Sequence, residues 1–341
     1  MFVISNVLLV EFSLKMDVLE ALRPVLTISK IFGIMPYKIQ IIPNFKILKK
    51  SHYLDIYNKI LLILTVITVI CNWLEYSKTF ISEFKNGSRF VVMTIDSITY
   101  SSVFLAPYFT ILIHKELIMF HINKINKLRL IRPLEPDLYK TAILNRIITF
   151  SSVSYVIFFI AERFAARVVR WFKGPFQIMN ILMFCLNLCA EVIIIDQFVL
   201  FINSVRIFYE RMNFILMKEI LNDEGGVGSI LRKIRRMKVE EHVLKDAIED
   251  INFAYMFPLL ITMFWSLISL LHGFILLVLH KEEIMEDFNV VEFLLWSLMF
   301  SFLIYSVVIV CRMTSNEVIC WLLVQTSAIF GDKRKFSYIT M

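Results

Sequence analysis

Long apolar runs alternate along this chain with short, strongly charged segments. A bilayer core of about 30 Å needs roughly 20 apolar residues in a helix, so runs of this length predict membrane spans. The six runs are Ile56–Trp73, Phe90–Ile113, Ile143–Ile160, Phe176–Ile202, Tyr255–Leu279 and Val290–Cys311. The pattern therefore predicts an all-α fold, a polytopic transmembrane helix bundle with six spans.

The segment between the fourth and fifth runs is polar but keeps a helical period on both sides of its glycine-rich centre, 225–228. The apolar positions that recur on one helix face are Val205, Phe208, Met212 and Ile215 before it, and Ile230, Met237, Leu244 and Ile251 after it. Such stripes are typical of helices that pack by one side. We therefore expect long helical extensions of spans four and five. The stretch Val318–Phe330 is too short and polar to span, and is predicted to form an amphipathic helix at the inner face.

The distribution of basic residues predicts how the chain is oriented. Of the 36 lysines and arginines, 28 lie in the segments on the side of the N-terminus and 8 on the other side, where 163–173 is the one discordant cluster. The positive-inside rule then places the N-terminus in the cytosol. The expected organisation is a cytosolic segment 1–55, spans one to four in 56–204, a cytosolic helical segment 205–254, spans five and six in 255–313, and a cytosolic amphipathic tail 314–341.

Composition narrows the function classes. Hydrophobic residues make up 58% of the chain and charged residues 19%, with a mean hydropathy of +0.71. The net charge of +7 comes from residues between spans, which suits contact with the lipid bilayer and not with nucleic acid. No phosphate-cradling glycine loop, HExxH, GxSxG or paired CxxC is present. We therefore expect no enzyme activity, no cofactor and no metal site.

Polar side chains inside the spans are the candidates for function, since they are costly in a membrane and usually face a cavity or a partner. Asn180, Asn187 and Glu191 fall within about 40° of one helix face. The full set of candidate pocket residues is Asp96, Tyr100, Tyr155, Glu162, Asn180, Asn187, Glu191, His272 and Trp296. They predict either a polar pocket for a small ligand, open to the outside, or interhelical hydrogen bonds that only brace the bundle.

Several segments resemble the insect gustatory receptors, within the insect chemoreceptor superfamily. The similar segments are Leu22–Pro36, Arg206–Leu216, His242–Phe253 with the following Pro258–Leu260, and Cys311 with Asn316–Glu317. The positions that carry the likeness to family motifs are His242, Asn252, Cys311 and Glu317. The short outer loop at about 161–175 favours the gustatory branch over the odorant branch.

The resemblance implies a plasma-membrane receptor of sensory neurons, a ligand-gated cation channel that detects small-molecule tastants. Such receptors are homo- or hetero-tetramers with other receptor subunits. Family members carry the pore lining on a seventh span, and this chain is expected to end before it and to conduct no current alone. The alternative is a secondary transporter, although the internal repeats typical of that class are not found. A purely structural membrane protein is a further alternative, whereas a G-protein-coupled receptor conflicts with a cytosolic N-terminus.

Overall fold

The computed structural model describes residues 18–42, 45–83, 87–128, 175–222, 226–279 and 290–330, together with 143, 147, 150–155 and 157–158. Within these residues the chain is helical apart from one hairpin. The elements in chain order are α1 (Val18–Ile31), β1 (Tyr37–Ile42), β2 (Phe45–Lys50), α2 (His52–Glu83), α3 (Gly87–Leu128), α4 (Pro175–Asn222), α5 (Gly226–Leu279) and α6 (Val290–Phe330).

Five of these helices contain a stretch long and apolar enough to cross a bilayer. The stretches are His52–Leu74, Ser97–Leu128, Leu182–Lys218, Leu231–Ile268 and Ser301–Thr326. The all-α, multi-pass helix bundle expected from the apolar runs is thereby confirmed. Of the eighteen residues of the predicted third span, Ile143–Ile160, the structure describes ten, and these are helical.

Helix α2 has the burial pattern of a helix that faces lipid. Its exposed side carries Ile63, Ile67 and Ile70, each about half exposed or more at 58%, 49% and 52%, whereas Asn58 and Thr65 point inward and are buried. In water this arrangement would expose apolar surface and bury polar groups. In a bilayer it is favourable, because lipid tails accept the isoleucines and neighbouring helices satisfy the polar groups.

Helix α4 is the centre of the bundle. It packs against α1, α2, α3, α5 and α6, and every residue from 187 to 202 is buried. Its span carries polar side chains on opposite faces, Asn187 and Glu191 on one and Asp196 on the other, which lipid could not satisfy; this is the physical reason for a surrounded position. The polar side chains of α4 are consequently the ones with most neighbours to contact.

The N-terminal segment is an integral part of the bundle. Helix α1 ends at Gly33, whose φ of 69° is left-handed, with Gly33 N–H bonded to Lys30 O and Ile34 N–H to Ser29 O. This is the Schellman pattern, in which glycine is preferred because it has no Cβ. A Cβ at Gly33 would also collide with the Leu61 side chain of α2.

An antiparallel hairpin, β1–β2, follows α1 and was not expected from the sequence. It packs on α3, where the Asn123 side chain accepts from Leu48 N–H at 2.7 Å and donates to Leu48 O at 2.9 Å. Asn126 Nδ2 donates to Lys46 O at 2.8 Å. An isolated two-stranded hairpin is marginal in water, so these bonds to α3 are what hold it in place.

The helical extensions predicted between spans four and five are observed, although their cytosolic location stays a prediction. Helix α5 runs without a break from Gly226 to Leu279, and the stripe residues Met237, Leu244 and Ile251 are buried. The stripe of α4 is buried at Val205, Phe208 and Met212 and partly buried at Ile215.

The helix predicted at Val318–Phe330 is observed as a continuation of the sixth span, whereas its location at the inner face stays a prediction. Helix α6 is continuous from Val290 to Phe330, through Cys311. The polar residues 312–317 contain neither glycine nor proline, so nothing in the backbone ends the helix there. Trp321 and Val324 are fully buried, and packing of this face stabilises the last turns.

Candidate ligand-binding site

Asn187 and Glu191 form the centre of the candidate site. They lie four residues apart on α4, which places them on the same helix face one turn from each other, and both side chains are fully buried at 0% exposure. The sequence singled out this pair for its position inside an apolar span. The structure confirms that the pair points into the bundle; it does not by itself decide between a ligand pocket and a brace.

Two threonines from neighbouring helices contact the pair. Thr65 of α2 donates to Asn187 Oδ1 at 3.0 Å, and Thr262 of α5 donates to Glu191 Oε1. The Thr262 hydroxyl also lies 2.7 Å from Pro258 O in its own helix. A hydroxyl carries one hydrogen, so Thr262 can donate to Glu191 or to Pro258 O but not fully to both.

The two threonines do not satisfy every polar atom of the pair. Among the residues that the structure describes, Asn187 Nδ2 and Glu191 Oε2 have no hydrogen-bond partner, although both atoms are buried. The buried Tyr108 hydroxyl of α3 lies beside Thr65 and adds a third helix to the surroundings. Burying such groups without partners costs about 1–3 kcal/mol each, so the pair has one donor and one acceptor available for further hydrogen bonds.

The opposite side of α4 carries a second buried carboxyl group. Asp196 is 3% exposed and accepts a hydrogen bond from Ser152 Oγ at 3.4 Å. Five residues separate it from Glu191, which corresponds to a rotation of roughly 140° about the helix axis. Asp196 therefore does not belong to the Asn187–Glu191 site, as its position in the sequence predicts.

Of the remaining pocket candidates, Tyr155 is the one whose side chain the structure describes. Tyr155 is partly buried and packs against the core. Glu162 lies outside the described part of the chain. The other five candidates lie on described helices, but their side chains are outside the described part of the chain: Asp96, Tyr100, Asn180, His272 and Trp296. Their membership in one pocket stays a prediction.

The four family-motif positions have different environments. His242 and Asn252 are exposed on α5, and Cys311 is partly buried against the core. Glu317 of α6 accepts hydrogen bonds from Asn213 Nδ2 of α4, at 2.9 Å through Oε2 and 3.0 Å through its backbone carbonyl. Glu317 therefore joins two long helices.

Sequence reasoning missed the partners of the pair, Thr65 and Thr262. A single threonine in an apolar helix usually bonds to its own backbone, so neither residue gave a signal in the sequence. Sequence reasoning also missed Gln197 of α4, which donates to Ser29 Oγ at 2.7 Å and accepts from the Tyr255 hydroxyl at 2.9 Å. All three of these side chains are buried.

A bundle of long apolar helices around a central buried helix defines a multi-pass membrane protein. A family model described as 7tm Chemosensory receptor matches residues 22–325. The chain belongs to this family, as the resemblance to insect chemoreceptors suggested. None of the curated proteins compared with the chain matches it.

Proposed function

We propose that this chemoreceptor is a gustatory receptor, a subunit of a ligand-gated cation channel in the plasma membrane that detects small polar tastants. Membership in the chemosensory receptor family supports a small-molecule ligand. The finer assignment to the gustatory branch rests on the short loop at about 161–175 and on the motif segments of α4, α5 and α6.

The observation that carries the proposal is the buried pair Asn187–Glu191 with its unused amide hydrogens and carboxyl oxygen. An amide donor and a carboxyl oxygen on adjacent turns complement a molecule with a hydrogen-bond acceptor and a donor close together, such as a polyol or an amine. Contacts reach the pair from α2 and α5 at once. A ligand that replaced the Thr262 contact would therefore change how α4 and α5 are held together, which is what gating by a ligand requires.

The test measures tastant-evoked current and receptor surface amount in the same cells. The chain is expressed in cells in two versions, by itself and joined to the seventh span of a related receptor. The cells are then exposed to a panel of sugars, polyols and amines. Asn187→Ala should raise the half-maximal concentration of an effective tastant by about 5–30-fold, the value of one or two lost hydrogen bonds, with surface amount unchanged.

Asn58→Ala is the matched control. Asn58 is also a buried asparagine, but it bonds to Gly33 O in the N-terminal segment, away from the pair. Asn58→Ala should lower the amount of receptor at the cell surface and leave the half-maximal tastant concentration unchanged. If Asn187→Ala behaves in the same way as Asn58→Ala, the pair only braces the bundle and the proposed site is wrong.

A secondary transporter is the second candidate, favoured by one observation. Glu191 and Asp196 are buried carboxyl groups in a membrane helix, and such groups commonly carry coupled ions or protons. Uptake of labelled substrate that depends on an ion gradient, without a tastant-evoked conductance, would establish this alternative. A conductance without substrate uptake would exclude it.

A further inference from the structure

The two faces of the β1–β2 hairpin have opposite character. Side chains alternate along a strand, so residues paired directly across the strands share one face. Tyr37 and Leu48 are buried on the face towards α3. Lys38 pairs with Lys49 on the other face, and both are exposed.

In the described part of the chain, neither lysine of this pair forms an ion pair with an acidic side chain. The other hairpin lysines do: Lys46 Nζ lies 2.7 Å from Glu20 Oε2, and Lys50 Nζ lies 3.5 Å from Glu116 Oε1. Like charges directly opposite each other in a sheet destabilise it by up to about 1 kcal/mol. The pair Lys38–Lys49 is therefore a positive surface that an external anion would stabilise.

The pair lies where the lipid-facing surface begins. Strand β2 ends at Lys50 and α2 begins at His52. The exposed apolar stripe of α2 starts at Tyr53, which is 85% exposed, and continues through Ile56 and Ile60 at 41% and 48%. Lysines immediately before such a stripe lie at the depth of lipid headgroups.

The hairpin is also held rigidly relative to the span. Besides the bonds from Asn123 and Asn126, the Tyr37 hydroxyl donates to Lys115 O of α3. The Asp55 carboxylate at the start of α2 pairs with Lys115 as well. The hairpin is thus fixed beside α2 and α3, and its outer face is directed away from α3.

We propose that the outer face of this hairpin binds anionic lipid headgroups of the inner leaflet, with Lys38 and Lys49 as the contacts to the headgroup. The inner leaflet follows from the cytosolic side predicted for segment 1–55, and that leaflet carries the negative surface potential. The proposal needs membrane embedding only and does not depend on ligand detection.

The test titrates the full chain in neutral detergent with dioctanoyl phosphatidylserine and, separately, with dioctanoyl phosphatidylcholine, and counts bound lipid by native mass spectrometry. The chain should bind phosphatidylserine in preference to phosphatidylcholine. Since one lysine near an anionic surface contributes about 1 kcal/mol, Lys38→Gln and Lys49→Gln should each weaken phosphatidylserine binding about fivefold, and the double variant about thirtyfold. Lys49→Arg keeps the charge and should bind normally.

The matched control removes two exposed basic residues from α5, Arg235→Gln with Lys238→Gln, for the same change in net charge. It should leave phosphatidylserine binding unchanged. Equal binding of the two lipids, or an equal loss in the control, would overturn the proposal. So would full displacement of the lipid by the same concentration of inorganic phosphate, because the site would then recognise any small anion.

Discussion

The Tyr255 hydroxyl of α5 donates a hydrogen bond to Gln197 Oε1 of α4 at 2.9 Å, inside a fully buried part of the bundle. Gln197 in turn donates to Ser29 Oγ of α1, so one amide joins three helices. Ser29 Oγ in turn donates a hydrogen bond to Val25 O of its own helix, α1. This relationship fixes the N-terminal helix to the centre of the molecule.

Tyr255→Phe should lower the thermal stability of the detergent-solubilised protein. The change removes the donor and leaves Gln197 Oε1 buried without it, at a cost of about 0.6–2 kcal/mol for a bond inside a membrane bundle. Tyr305→Phe is the control, because Tyr305 is 63% exposed. The midpoint of thermal unfolding should fall for Tyr255→Phe alone, and equal midpoints would show that this bond contributes nothing.

Glycosylation mapping should establish the orientation of the chain. An acceptor sequence inserted beside Gly87, between α2 and α3, should be glycosylated, since the basic residues place this connection outside the cytosol. An acceptor inserted beside Gly226, at the start of α5, should not be modified. The measurement is a mobility shift that is removed by a glycosidase. The reverse pattern would contradict a cytosolic N-terminus and with it the leaflet assigned to the hairpin.

Asn213→Ala should loosen the contact between α4 and α6. It removes both hydrogen bonds to Glu317, and the expected loss is about 1–3 kcal/mol. Glu317→Gln keeps the backbone carbonyl and supplies an amide oxygen, so its effect should be smaller. Asn316→Ala, at an exposed neighbouring position, serves as the control. Thermal unfolding of the three variants should follow the order Asn213→Ala, Glu317→Gln, Asn316→Ala from least to most stable.

The pH dependence of stability should include a contribution from Glu20 of α1. Partial burial acts to raise the pKa of Glu20, but hydrogen bonds from Lys46 and Arg23 outweigh it and hold the pKa below the ordinary value of 4.5. A carboxylate whose pKa is lowered by folding stabilises the protein above its ordinary pKa. That stability is lost as the pH falls through 4.5 towards the folded value.

The measurement is the midpoint temperature of thermal unfolding, determined at a series of pH values from 7 down to below the folded pKa of Glu20. Because Glu20 and its partners are partly exposed, the contribution at neutral pH should be about 0.2–1 kcal/mol. Glu20→Gln should lose this amount at neutral pH and match the unaltered protein in acid. Glu249→Gln on α5, where the side chain is 66% exposed, is the control. A constant difference across the pH range would assign the effect of Glu20→Gln to packing instead of charge.

The sequence by itself determined the class of fold and the candidate pair. Run length identifies membrane spans because the bilayer sets a minimum length that no soluble helix needs. A polar residue in such a run is costly, which is why Asn187 and Glu191 stood out before any contact was known. The buried stripe of Met237, Leu244 and Ile251 followed from helical period alone.

The tertiary structure decided which residues meet. Thr65 and Asn187 are 122 positions apart, and Tyr37 and Lys115 are 78 apart. Helical period fixes the face on which a side chain lies, but not the rotation of that helix against its neighbours. That rotation depends on the simultaneous packing of α1, α2, α3, α5 and α6 around α4. The hairpin escaped prediction for the same reason, since its strands are stabilised by Asn123 and Asn126 of a distant helix and not by their own sequence.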